Sequence, residues 1–335
     1  MTKRPTGWVV ALVGPVVLAT GLGVGAAPAR HKPAAAVSST APLSTLWEEP
    51  TDLPDRDLFY GPWGRENAPD PQAVYTYLRP KEGGVNPGVI VRDPENREWH
   101  VKQSAADNTK GAEGPVEVVL SRVLSAIGYH QPPVYFLPSF RMQKSLGAPK
   151  TEPGGRFRLA RKGLKDIGSW AWMNNPFRDT VQLRGLLLVL DVFNSSDLKN
   201  SNNTVYTVRD GDATAQWFVV RDLGTALGET GRLAPMRSNP SLLGKQPLIA
   251  GVSGGYLRFH YRGRHQELFD RRITPADAVW AGTLLSQLSD KQWHDAFYAG
   301  GYTPEVTDRF LTVIRARIDE ALHADDAVTT SRARH

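Results

Sequence analysis

The sequence predicts an α+β chain in two lobes: a small strand-rich first lobe holding one helix, and a larger, mostly helical second lobe. Three observations carry this. Short β-branched and aromatic runs crowd residues 73–160, one helical stripe interrupts them after Gly114-Pro115, and from residue 180 onward the long apolar segments have helical spacing. The 335 residues, 41% apolar, are enough for a sizeable core and exclude disorder throughout. With no cysteine, disulfides, zinc–thiolate sites and thiol nucleophiles are all excluded.

Residues 1–29 read as a secretory signal peptide. Lys3 and Arg4 precede an apolar run from Trp8 to Ala27, and Ala27-Pro28-Ala29 offers a small-x-small cleavage site. The run is nearly long enough to span a bilayer, so an uncleaved anchor is the alternative, and membrane contact is expected only there. Either way the sequence predicts an exported protein, periplasmic, secreted or in a secretory pathway. Net charge is +6, and removing Lys3 and Arg4 leaves +4, spread along the chain. No dense basic block with interleaved aromatics occurs, so nucleic acid is not an expected partner.

Residues 30–72 read as a linker and an irregular arm, the flexible spacer ending near residue 46. The first lobe spans 73–165. Val74–Leu78 is a strand, a glycine-rich loop follows at Gly83–Gly88, and two strands flank the turn Asp93–Asn96. The second of these strands ends in Lys102. Pro at the first helical position opens a helix whose stripe runs from Val116 to Ile127, and Gly128 closes it. Strands follow at 134–137 and 156–160, joined by a polar Pro/Gly loop over 143–155.

The second lobe spans 166–325, with 326–335 as a flexible tail. Residues 180–193 are apolar around most of the circumference and predict a buried helix that ends at Asp197. Residues 205–208 and 217–220 read as a hairpin around Asp210-Gly211, with Asp222 emerging from its second strand. Three helices close the chain, at 275–288, 291–299 and 304–322.

The residues that carry chemistry are Asp197-Leu198-Lys199-Asn200-Ser201-Asn202 and, after the hairpin, Asp222-Leu223-Gly224. Phosphoryl transfer needs one carboxylate to orient the attacking hydroxyl, plus hard oxygen ligands that hold Mg²⁺ against phosphates. Asp197 suits the first role, and Asn202 with Asp222 the second. Lys102 could meet nucleotide phosphates, and Glu117, in the first turn of the helix, could hold that lysine by an ion pair. Glu113, Lys110 and Arg122 are neighbouring substitutes in the first lobe. Each residue also has an ordinary explanation: a solvated lysine, a helix-dipole glutamate, turn-forming Asp and Asn. Their shared order and spacing favour the chemical reading.

The Asp197–Asn202 run resembles the Asp-Arg-His-Asn-Ser-Asn loop of phosphatidylinositol kinases, and the corresponding loops of HipA-like and secretory-pathway kinases. The order Lys102, Glu117, Asp197, Asn202, Asp222 is similar to that of the protein-kinase-like superfamily, and covers the chain from Lys102 to Gly224. The resemblance implies a two-lobed kinase fold, ATP and Mg²⁺ as cofactors, and a phosphotransferase acting on a hydroxyl of a protein, lipid head group or sugar. It also implies that Gly84 and Gly88, with Lys102, hold phosphates. The sequence departs from the family in Leu198-Lys199, in Leu223, and in a glycine loop that does not fit Gly-x-Gly-x-x-Gly.

Two rivals stand beside it. An exported kinase fold in a compartment without ATP could be an inactive binding module. Gly251-Val252-Ser253-Gly254-Gly255 satisfies Gly-x-Ser-x-Gly, but a nucleophile elbow must pass from strand to helix, and Tyr256–Tyr261 alternates like a strand. A hydrolase is therefore the weaker rival, and no His-Glu-x-x-His supports a metal-dependent one.

Overall fold

The computed structural model describes residues 43–82, 86–103, 112–210, 213–231 and 235–325. Residues 1–29, where a signal peptide is expected, most of the expected spacer, Lys110, the Asp210-Gly211 turn in part, and residues 326–335 lie outside the described residues. Among the described residues no helix is long and apolar enough to cross a membrane.

Five strands form a closed barrel in the order β2-β3-β4-β6-β5. They are β2 (Val74–Pro80), β3 (Gly88–Arg92), β4 (Glu98–Gln103), β5 (Val134–Gln143) and β6 (Lys150–Leu159). Parallel pairing of Val74 with Arg141 closes it. Alternation sends Tyr75, Val91, Trp99, Val101, Tyr135 and Phe157 inside. His100 and Lys102 on β4, and Arg156 and Arg158 on β6, therefore point outward; Lys102 stands opposite Arg156, and His100 opposite Arg158.

Helix α1 (Glu113–Ala126) connects β4 to β5. Its stripe of Val116, Val119, Leu120, Val123, Leu124 and Ile127 does not enter the barrel. It joins a second, larger core with α2 (Val181–Val192), α4 (Pro275–Ser286), α5 (Asp290–Ala299) and α6 (Pro304–Leu322). Thr180 caps α2 by accepting from the Leu183 amide. Gly185 lets α2 approach α4, since a Cβ there would strike the Trp280 ring.

Three expectations are corrected. The loop expected over 143–155 is largely strand, because β5 and β6 pair as far as Met142 with Lys150. Pro153 and Gly154 read as loop formers, yet a Cβ at Gly154 would meet the Pro138 carbonyl, so glycine here admits a close strand crossing. Residues 43–45, expected within the flexible spacer, form β1 (Leu43–Thr45), parallel to β9 (Ala213–Val220). The helix-rich half also carries a sheet, ordered β1-β9-β8-β7, with β7 (Leu164–Gly168) and β8 (Asn203–Asp210). The expected lobe boundary at 165 thus falls inside β7, an exposed edge strand without apolar alternation.

The remaining elements are the short α3 (Pro240–Leu243) and the hairpin β10 (Ile249–Ser253) and β11 (Tyr256–Phe259). Gly254 and Gly255, both at positive φ, make the turn between them. Strand, turn, strand is not a nucleophile elbow, and the Gly-x-Ser-x-Gly match is a hairpin sequence. The three C-terminal helices lie where the apolar spacing places them.

Candidate active site

Lys102, next to last in β4, has its side chain only 9% exposed. A buried ammonium needs partners, and it has three. Its Nζ lies 2.9 Å from Glu113 Oε2, 3.2 Å from Asp222 Oδ1 and 3.5 Å from Glu117 Oε2. Strand, helix and the residue after a hairpin 120 positions later thus converge on one lysine. Glu117 is shared, because its Oε1 also forms an ion pair with Arg156, 3.0 Å from Nε. Glu113 is the nearer partner and is itself held by Asn86 and Arg237. Of the first-lobe substitutes, then, Glu113 joins the cluster, while Arg122 turns to Phe59 and Tyr135.

Asp222 adopts φ 54°, a left-handed conformation that aspartate tolerates better than most residues. Its side chain is half exposed. Burial opposes its ionisation, but Lys102, Arg156 and Arg221 outweigh that and hold the carboxyl below its ordinary range. Asp222 is therefore an anion near neutrality, open on one side.

The Asp197 loop follows α2. Both carboxylate oxygens of Asp197 are engaged: Oδ2 with Lys199 Nζ at 2.7 Å, and Oδ1 with Arg264 Nε at 3.1 Å. The Asn202 amide nitrogen donates to the Asp197 carbonyl at 2.8 Å, which leaves its Oδ1 as a free acceptor in orientation. The Arg221 amide donates to the Asn202 carbonyl at 2.8 Å, and Asn203 pairs with Val220. Those bonds bring the Asn202 loop beside the residue that precedes Asp222.

Gly88 stands opposite Lys102 within the ladder, where a Cβ would strike the Val101 carbonyl. It serves strand approach, so its expected place in a phosphate-covering loop is corrected. Gly84 lies outside the described residues. Among the described residues no three His, Cys, Asp or Glu side chains form a ready metal cage. One carboxylate and one amide oxygen, Asp222 and Asn202, are nevertheless a donor set suited to Mg²⁺, whose octahedron is otherwise completed by phosphates and water.

Arg264 and the loop it belongs to were not legible in sequence, being 67 residues from Asp197. The Arg264 amide donates to the Ser196 carbonyl at 3.0 Å, and the Tyr261 hydroxyl donates to the same carbonyl at 3.1 Å. Gly263 makes this approach possible: a Cβ there would lie 2.5 Å from Ser196 O. Gly263→Ala is expected to push the Arg264 loop off Asp197, costing about 1–3 kcal/mol by overpacking. Urea unfolding would read that cost; an unchanged midpoint would refute this role for Gly263.

No protein-family model matches the chain, and no curated protein matches it. The chain is similar to CtkA, a proinflammatory kinase of Helicobacter pylori. The match covers 78% of this chain and 99% of that one, at 11% identity and a TM-score of 0.46.

Proposed function

We propose that the chain is a phosphotransferase that uses ATP and Mg²⁺ to phosphorylate a hydroxyl. The observation that carries this is the Lys102 ammonium held between two helix carboxylates and Asp222. A lysine fixed in this way can present its charge to phosphate oxygens without reorganising. The surrounding charge fits the same ligand. Glu113, Glu117 and Asp222 balance Lys102, Arg156 and Arg237, whereas the outward-facing Arg158 makes no ion pair among the described residues. Burial lowers its pKa, as do the nearby Arg156 and Arg221, which leaves excess positive charge on this outer face of the barrel.

In this reading Asp222 and Asn202 Oδ1 hold the metal, which when bound neutralises phosphate charge. Lys102 contacts the phosphates, and Asp197 Oδ2 takes the proton of the acceptor hydroxyl. Lys199, 2.7 Å from that oxygen, stands close enough to steady negative charge on the transferred group. Export, carried only by residues 1–29, belongs to the proposal as well.

One observation favours a second reading, a binding module without transfer. Both oxygens of Asp197 are tied to cations, so an incoming hydroxyl would have to share or displace one of them. Binding and transfer assays separate the two readings.

The test is calorimetric titration of nucleotide with Mg²⁺ into the full chain and its Asp222→Ala variant. Wild type is expected to bind only with metal, gaining ~2.7 kcal/mol at about a hundredfold excess over Kd. The variant should keep its fold, because Lys102 retains Glu113 and Glu117, and should lose metal-dependent binding. Equal binding by both proteins, or no nucleotide binding by folded wild type, would overturn the proposal.

A further inference from the structure

Arg122 lies on α1, the helix that carries Glu113 and Glu117, yet it takes no part in the Lys102 cluster. It is 2% exposed, and no carboxylate pairs with it among the described residues. Its Nε donates to the Phe59 carbonyl at 3.2 Å, and its guanidinium sits 5.1 Å from the centroid of the Tyr135 ring. Neither Nη group makes a hydrogen bond among the described residues. Asp57, the acidic group that acts on it, accepts from the amides of Phe59 and Tyr60 through Oδ1 and makes no ion pair with it. Burial draws the guanidinium pKa down to about 10, as expected of a charge held out of water. Gly61, at φ 74°, leaves the space that Nη1 fills, so the backbone accommodates this arginine.

The buried guanidinium borders two cavities, of about 500 Å³ and 730 Å³. Phe59, Tyr60, Tyr135 and Phe136 give the larger one its aromatic wall. Arg65, on its rim, lies 5.9 Å from the Tyr60 ring centroid and likewise has no ion pair among the described residues. The rim acids Glu95, Asp70 and Glu66 are engaged elsewhere, by Arg97, by the Gln72 amide and by the Asn67 side chain.

We propose that this cavity is a binding site for a small organic anion with a flat apolar body, its carboxylate or phosphate head on Arg122. Burying an unpaired charge is costly, and an anion arriving in the cavity removes that cost. The volume suits a ligand of drug-like size, and the ring walls suit a flat body. Arm, barrel and α5 all line the cavity, through Phe59, Tyr135 and Tyr298, so the ligand would fix the arm against α1. The proposal is independent of the phosphotransfer reading.

The full chain would be titrated with benzoate and phenyl phosphate, which distinguish the two head groups, and with benzyl alcohol and inorganic phosphate. At least one aryl anion is expected to bind and raise Tm. Arg122→Met should weaken it tenfold or more, while metal-dependent nucleotide binding stays unchanged. Arg65→Glu, on the exposed rim, should weaken it too, and serves if the Arg122 variant fails to fold. The idea is overturned if folded wild type binds neither aryl anion. It is also overturned if benzyl alcohol or inorganic phosphate binds as well as they do, or if neither variant changes the affinity.

Discussion

Replacing Asp197 by alanine is expected to slow phosphoryl transfer by about 100- to 10,000-fold, the usual contribution of a positioned general base. Nucleotide affinity should change little, because Lys102, Asn202 and Asp222 remain. Asp197 is held by two cations, Lys199 at 2.7 Å and Arg264 at 3.1 Å, on opposite oxygens. The carboxylate is oriented by both and cannot swing. Arg264→Met would release Oδ1 and loosen that orientation while Lys199 still holds Oδ2, so its effect on the rate should be much smaller than that of Asp197→Ala. Single-turnover transfer to any accepted hydroxyl, measured beside nucleotide titration, separates the two steps. Transfer by Asp197→Ala within about threefold of wild type would remove Asp197 from the chemistry.

What the sequence made legible here was local. Lys102 near a strand end, Glu117 on the following helix and Asp222 after a hairpin are positions that periodicity can place, and the structure gathers them around one ammonium. The helix starts at Glu113, however, and so puts Glu117 in its second turn rather than its first. What it hid was set by chain crossings. Arg264 reaches Asp197, Arg237 reaches Glu113, and Arg156 reaches Glu117 from a neighbouring strand, and none has a local pattern that marks its partner. Glu113, one turn before Glu117, could be named as a candidate, but periodicity alone could not rank two acids on one helix face. The missed strands fail for a related reason. β7 is exposed along one edge and shows no alternation, and β1 is three residues whose pairing lies with Ala215–Trp217, far down the chain. Pro153 and Gly154 mislead because composition says turn, while tertiary contact makes Gly154 the residue a close crossing requires.

Arg317→Leu is expected to cost about 3–5 kcal/mol of stability, the range seen when one member of a buried charged network is removed. Arg317, on α6, donates through Nη1 to the carbonyls of Asp191 at 2.9 Å and Val192 at 3.1 Å, and to Asn194 Oδ1 at 2.7 Å. Through Nη2 it reaches the carbonyls of Leu243 and Gln246 at 2.9 and 3.1 Å. Two of these acceptors end α2, where the helix leaves carbonyls unpaired and a cation offsets the dipole. The Asp197 loop begins there, so the same substitution should also lower activity at temperatures where the chain remains folded. Beside it, burial raises the Asp191 carboxyl to about 7, with Arg317 opposing the shift. A carboxyl whose folded pKa is raised binds its proton more tightly when folded. Its stabilising contribution is therefore full below the unfolded value of 3.8, and is lost as pH rises through about 7. Wild type should lose stability over that window from this group, and Asp191→Asn should flatten the loss. In Arg317→Leu the loss should extend to higher pH, since the opposing cation is gone. Urea midpoints at pH 5, 6.5 and 8 would read all three proteins; parallel pH profiles for wild type and Asp191→Asn would show that Asp191 titrates alike in the folded and unfolded chain.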